Sequence, residues 1–148
     1  MSMINFLFSA KSPFDLLKED TRNANIFKRF GQINKFYTKI IEKAKRVARS
    51  HKRLVFFQYG GDMSLSADIS NELSYRFPGK IIMVAYVKGN NANVSIRGGI
   101  DVRRITLDTL KKIPNSSGGG HKHATGCKMS VDDLHKFRDI FESEVERY

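Results

Sequence analysis

Scarcity says much about this chain of 148 residues. It has one cysteine, no tryptophan, three prolines, and 15 acids against 26 Lys and Arg. With Cys127 alone, an intramolecular disulfide is impossible and a reducing compartment is expected. The longest apolar stretches, Ile4–Phe8 and Ile81–Val87, fall well short of the ~20 residues a membrane helix needs, and no signal-peptide pattern precedes them. The expectation is an intracellular, cytoplasmic or nucleoid-associated protein with no membrane partner. There is no Asp-His-His, no Asp-x-Asp pair, and only four histidines, His51, His121, His123 and His135. Hard divalent cations need several converging carboxylates, and nothing is spaced to supply them. His121, His123 and Cys127 lack a fourth ligand for a structural zinc site. No metal and no cofactor is expected. Ser66 with Asp68, or Ser117 before His121, has no third group to orient a base. Acting alone, the chain is not expected to be an enzyme.

The net charge of +11 is concentrated. Between Thr21 and Arg53 stand eleven Lys or Arg, Lys35, Lys39, Lys43, Lys45, Arg46 and Arg49 among them, against the single acid Glu42. Such a stripe calls for an acidic partner. Apolar residues within it fall at Ile26, Phe30, Ile33, Tyr37, Ile40, Ala44 and Val47, a narrow seam on one long helix. Gly31 weakens that helix and marks a candidate break. Ahead of it, Ser12 with Pro13 reads as a helix start. Phe6, Phe8 and Phe14 either cap a core or dock a partner.

Downstream the pattern turns to α/β. Leu54–Tyr59 reads as a buried strand ending in a Gly60-Gly61-Asp62 turn. Ser64 or Ser66 starts a helix with Leu65, Ile69, Leu73 and Phe77 on one face, stopped by Pro78-Gly79. Ile81–Val87 is a central strand, and Gly89-Asn90-Asn91 turns it into a third, Asn93–Arg97. Asp101–Lys112 is helical with Ile105 and Leu107 to Leu110 facing in. Gly126–Ser130 is a strand, and a last helix buries Leu134, Phe137, Phe141, Val145 and Tyr148. The order predicts a compact α/β domain with a mixed central sheet flanked by helices, residues 54–148, after a basic helical extension, residues 1–53. Phe36, Tyr37, Tyr59 and Tyr86 are read as packing residues, not base-stacking platforms.

Gly118-Gly119-Gly120-His121 is the most informative motif. Three residues without Cβ atoms free the backbone N–H groups to converge on an anion, and a histidine donor follows at once. The run reads as a built-in loop leading to the Gly126 strand. Arg97 ends the preceding strand before Gly98-Gly99, where its planar guanidinium can take a phosphate bidentately. His123 has a local hydrogen bond as its simpler role, and His51 and His135 read as surface residues.

Asn93-Val94-Ser95-Ile96-Arg97-Gly98 followed by Gly118-Gly119-Gly120-His121-x-x-Ala124-x-Gly126 resembles the signature of the DHHA1 domain, the substrate-binding half of DHH-family phosphoesterases such as RecJ. The similarity covers Leu54 to Tyr148; the one visible departure is Thr125, where the family usually has a small apolar residue. The resemblance implies that Ser95, Arg97, Gly118, Gly119, Gly120, His121 and His123 grip a phosphate and terminal nucleotide. It also implies that catalysis belongs to a separate metal-binding domain that this sequence lacks. The implied role is a non-catalytic module binding single-stranded nucleic acid, DNA in the first instance. By resemblance it would accompany the GINS complex and MCM helicase in replication. The alternative is the C-terminal substrate-binding half of a metal-dependent DHH exonuclease or oligonucleotide phosphodiesterase. An RNA-binding accessory of the alanyl-tRNA synthetase kind ranks behind both. The Met1-Ser2-Met3 start and the long helix favour a naturally short protein.

Overall fold

Helix-forming sequence fills the first third of the chain. The structure, a computed structural model, describes residues 3–18, 21, 23–50 and 53–148. His51, and Arg22 and Lys52 of the basic stretch, lie outside the described residues. The chain divides into two compact units, Met1–Ile40 and Ile41–Tyr148.

The first unit holds α1 (Met3–Ser9), α2 (Pro13–Leu17) and most of α3 (Ala24–Ala48). At the start of α2 Ser12 accepts from Phe14 N–H, Asp15 reaches back to Ser12 N–H, and Pro13 occupies the first turn, as the sequence predicts. Phe6 is buried, whereas Phe8 and Phe14 are exposed. Gly31 does not break α3, which runs unbroken for 25 residues. A solvent-facing glycine costs only about 1 kcal/mol, which a helix of this length absorbs.

The second unit opens with the last turns of α3, where Ala44 and Ala48 are fully buried. Next come β1 (Leu54–Gly60), α4 (Ser66–Arg76), β2 (Ile81–Lys88) and β3 (Asn91–Arg97). They are followed by α5 (Val102–Leu110), β4 (Ser117–His121), β5 (Ala124–Ser130) and α6 (Leu134–Glu146). The strands form one sheet in the order β1-β2-β3-β5-β4, with β1 parallel to β2 and every other pair antiparallel. Gly89 takes φ +56° in the tight β2–β3 turn, a conformation that favours glycine. Asp101 caps α5 by accepting from Arg104 N–H.

One sheet face carries Leu54, Met83, Val94, Ile96, Cys127 and Met129 in a core with Val102 and Ile105 of α5 and Leu134, Phe137, Phe141 and Val145 of α6. Tyr148, expected on that face, is half exposed with the Arg104 guanidinium 5.3 Å from its ring centre. The opposite face is covered by α4 over β2 and β3. That is why β2 is apolar throughout: helices close on it from both sides. The inner side of α5 is Val102, Ile105, Thr106 and Thr109, with Leu107 and Leu110 only half-buried. No side chain caps α4; Ser66 is instead its first, buried residue. The expected mixed α/β architecture is the one observed.

The glycine motif departs from expectation. Residues 118–121 form an edge strand, not a loop, with Gly118, Gly119 and Gly120 paired to Cys127, Gly126 and Thr125. Glycine is a weak strand former, but pairing with β5 and the close approach of α5 override that weakness. A Cβ at Gly118 would lie 2.5 Å from Cβ of Cys127, and one at Gly120, where φ is +142°, would strike the Ala124 carbonyl. Nothing lies within 4 Å of a Cβ built at Gly119. In a strand the N–H groups do not converge, so a simple amide nest is replaced by a flat, bare surface.

Candidate functional site

That bare surface lies on the face of α4, beyond the helix. Cross-strand register sets the residues in three rows. One row reads Ile82, Arg97, Ala124, His121; the next reads Val84, Ser95, Gly126, Gly119; the third reads Tyr86, Asn93, Lys128, Ser117. Side chains alternate between faces along a strand, so these rows share one side. Over β3, β5 and β4 the floor is therefore Ser95, Gly126, Gly119 and Ala124, all small. Arg97 and His121 flank this trough at one end, two strands and so roughly 10 Å apart, and Lys128 stands at the other, roughly 13 Å along the strand.

Arg97 is held, not free. Its Nε donates to Oδ1 of Asn71 at 2.6 Å, and Nη1 donates to the Ile96 carbonyl at 2.8 Å and the Thr125 carbonyl at 3.4 Å. All three acceptors are neutral, and both hydrogens of Nη2 remain for a ligand. Partial burial draws its pKa below the ordinary arginine value, which still leaves it cationic. A desolvated, oriented cation without a carboxylate is built to receive an anion. Ser95 hydrogen-bonds Oγ of Ser66 at 3.0 Å, tying the trough wall to the start of α4. His121 is exposed at the end of β4.

His123 is placed differently. It occupies the β4–β5 turn, and its Nδ1 lies 3.1 Å from the Gly98 carbonyl and 3.2 Å from the Ile100 carbonyl. The local hydrogen bond foreseen for it is there, and it clamps the turn to the loop after β3. Cys127 faces the opposite side of the sheet from His121, in the α5/α6 core, where burial pushes its thiol up to about 12. Among the described residues no three His, Cys, Asp or Glu are placed to hold a metal ion. Tyr59 and Tyr86 are buried, 5.4 Å apart, with the Tyr86 hydroxyl donating to the Gly61 carbonyl.

The departure at Thr125 has a partner. Its buried hydroxyl lies 2.9 Å from that of Thr106, which itself donates to the Val102 carbonyl. Thr125 is thus the donor in the pair, and its polar atom is satisfied.

The basic stripe is split by its surroundings. Lys45 is committed to Glu42 at 2.7 Å and Glu72 at 3.7 Å. Lys35, Lys39 and Lys43 are exposed, the first two in the first unit. Arg46 and Arg49 face a cleft shared with Arg138 of α6. Sequence reasoning missed Asn71 and Lys128, and had Ala124 and Gly126 only as signature positions, not as site residues. The last three are readable as every second residue of β5, but Asn71 comes from a helix whose docking no local pattern encodes.

The DHHA1 domain model matches residues 50–147. The chain belongs to the DHHA1 family. RecJ from Thermus thermophilus, in complex with Mg2+, is similar at 14% identity and TM-score 0.62, over 90% of this chain and 22% of that one. The C-Ala domain of alanyl-tRNA synthetase from Aquifex aeolicus is similar at 13% identity and TM-score 0.54, over 61% of this chain and 87% of that one. A pGpG-specific phosphodiesterase, PggH, from Vibrio cholerae is similar at 14% identity and TM-score 0.59, over 97% of this chain and 48% of that one. The chain thus spans less than half of RecJ and of PggH. No curated protein matches it by sequence. The matched region is a DHHA1 domain, and among the described residues no helix is long and apolar enough to cross a membrane.

Proposed function

We propose that this DHHA1 domain binds the phosphate end of a single-stranded nucleic acid in the trough between α4 and β4, without hydrolysing it. One observation carries the reading: Arg97 and His121 stand on either side of Ala124 at one end of a floor of Gly126, Gly119 and Ser95, and Arg97 has only neutral partners. A bare floor admits a flat sugar or base, and the paired donors take the phosphate. Lys128 at the far end, and Lys35, Lys39 and Lys43 on α3, supply sequence-independent attraction to the backbone. DNA is the expected polymer, and an accessory place in a replication assembly with GINS and MCM proteins is the biological setting that the family resemblance supports. The testing experiment compares oligo(dT) with and without a 5′ phosphate by fluorescence anisotropy. Phosphate-dependent binding that disappears in Arg97→Ala supports the reading; equal binding of both oligonucleotides removes it.

A second reading is favoured by the similarity to PggH across nearly the whole chain, the α1–α3 region included. Here the domain is the substrate-binding half of a metal-dependent oligonucleotide phosphodiesterase, and the same trough holds a dinucleotide. Preference for pGpG over oligo(dT) in the same assay selects it.

A further inference from the structure

The sheet has a second open feature at its opposite edge. β1 is the outermost strand and pairs only with β2, so alternate residues turn N–H and C=O outward. Among the described residues no backbone or side-chain group bonds these outward positions. The strand is seven residues long, LVFFQYG, with none of the proline or lysine that usually blunts an edge. Its first residues line a cleft of about 600 Å³, Leu54 and Val55 nearly fully buried and Phe56 partly exposed, and Gln58 and Gly60 beyond them are exposed. One wall is the end of α3, with Arg46, Val47 and Arg49; the other is α6, with Arg138 and Glu142.

The cleft is basic, although Arg138 is already paired with Asp139 at 2.6 Å. The Arg46 and Arg49 side chains are exposed and make no hydrogen bond or ion pair among the described residues, although both charges help hold the Glu42 carboxyl below its ordinary pKa. Val47 between them is 41% exposed. Arg138 lies 5.4 Å from the centre of the Phe56 ring, whose other neighbour is His135, edge-on at 6.1 Å. Two helices, one on each side of the sheet, therefore hold arginines above and below an unbonded strand edge.

We propose that this cleft takes an acidic, extended peptide segment of a partner protein, which adds to the sheet as a strand beside β1. Main-chain hydrogen bonds to β1 supply affinity, as in other strand-addition sites. Successive side chains of an added strand point to opposite faces. Acidic residues at adjacent positions would meet Arg46 and Arg49 on one side and Arg138 on the other, while Val47 receives a small apolar side chain. A polynucleotide fits less well. It has no alternating amide donors and acceptors to pair with the edge. The inference is independent of the Arg97 trough.

The test uses the full chain and a fluorescent peptide carrying glutamates at adjacent positions, a repeated Glu-Glu-Val-Val sequence that presents acid on both faces of a strand, read by anisotropy. Binding is expected, with a loss of about tenfold or more in Arg46→Glu/Arg49→Glu, exposed changes that leave the circular dichroism spectrum intact, and a loss in Arg138→Gln, which keeps a polar side chain over Phe56. N-methylating every second peptide residue should abolish binding in one phase and spare it in the other. Hydrogen exchange of the outward β1 amides should slow in the complex. Lack of binding, or equal tolerance of both N-methylation patterns, overturns strand addition. So does oligo(dT) binding that falls in the same arginine variants while the peptide is unaffected, which would make the cleft a nucleic-acid surface.

Discussion

Arg97 and His121 stand on the same face of the sheet with only Ala124 between them, although 23 residues of chain, the helix α5 included, separate them in sequence. This pairing across β5 turns two ordinary polar residues into opposed donors over a bare floor.

Arg97→Ala is expected to weaken binding of a 5′-phosphorylated oligonucleotide by about 1.5–3 kcal/mol, the worth of a hydrogen bond to a charged group. His121→Ala should cost less at neutral pH, since an exposed imidazole is better solvated when unbound. Both should leave binding of an unphosphorylated strand nearly unchanged. Lys35→Ala and Lys39→Ala should instead weaken both strands alike and flatten the salt dependence, by roughly 0.7 in slope for each phosphate no longer neutralised. Titrations at three salt concentrations separate the two behaviours.

The three glycines should not respond alike. Gly118→Ala places a methyl 2.5 Å from Cβ of Cys127 and is expected to cost on the order of 1–3 kcal/mol or more of stability. Gly120→Ala meets the Ala124 carbonyl in a backbone region that suits glycine and should be at least as damaging. Gly119→Ala has open space, so the melting temperature should hold while the added methyl obstructs the trough and weakens binding. Thermal denaturation beside anisotropy reads both; a destabilised but fully binding Gly119→Ala would refute the trough.

Buried hydroxyls give a third set. Thr106→Val strips Thr125 of its acceptor and should cost about 1–3 kcal/mol, whereas Thr125→Val leaves Thr106 bonded to Val102 and should cost little. The double variant should resemble Thr125→Val, the non-additivity being the sign of a shared bond. Oγ1 of Thr109 is buried without a partner, so Thr109→Val should be neutral or stabilising. Urea unfolding of the variants measures each difference.

Cys127 predicts a pH effect. Burial raises its thiol to about 12, above the roughly 8.5 of an unfolded chain. A raised folded pKa means the native state holds a proton that the unfolded state releases, so stability is full below about pH 8.5 and falls as pH rises toward 12. The slope from this group is at most about 1.4 kcal/mol per pH unit. Cys127→Ala should remove that contribution, measurable as a shallower loss of stability between about pH 8.5 and 10. Native protein should also react with a thiol reagent at about pH 8 only as fast as it unfolds.

Incubated alone with labelled single-stranded DNA or RNA and Mn²⁺ or Mg²⁺, the chain is expected to yield no cleavage products. Protein-dependent product that survives repurification, and that Arg97→Ala diminishes, would establish hydrolysis at this trough.

Local chemistry determined a large part of the fold. A continuous apolar run identified β2, alternation identified β3, helical spacing identified α3 and α6, and turn residues at Gly89-Asn90 and Ser12-Pro13 set boundaries, because each of these signals acts within a few residues. It determined the family as well, since Ser95-x-Arg97 and the Gly118–His121 run are contiguous. Only the tertiary structure decided what the glycines do. Their weak strand preference says loop, and the partners that overrule it, Gly126 and Cys127 of β5 and the facing helix α5, act across space. The same holds for Arg97, whose partner Asn71 comes from α4, and for the arginine cleft, where Arg46 and Arg138 lie 92 positions apart in sequence. Periodicity reports which side of an element is buried. It carries no information about which distant element does the burying, and that choice is what places the charges.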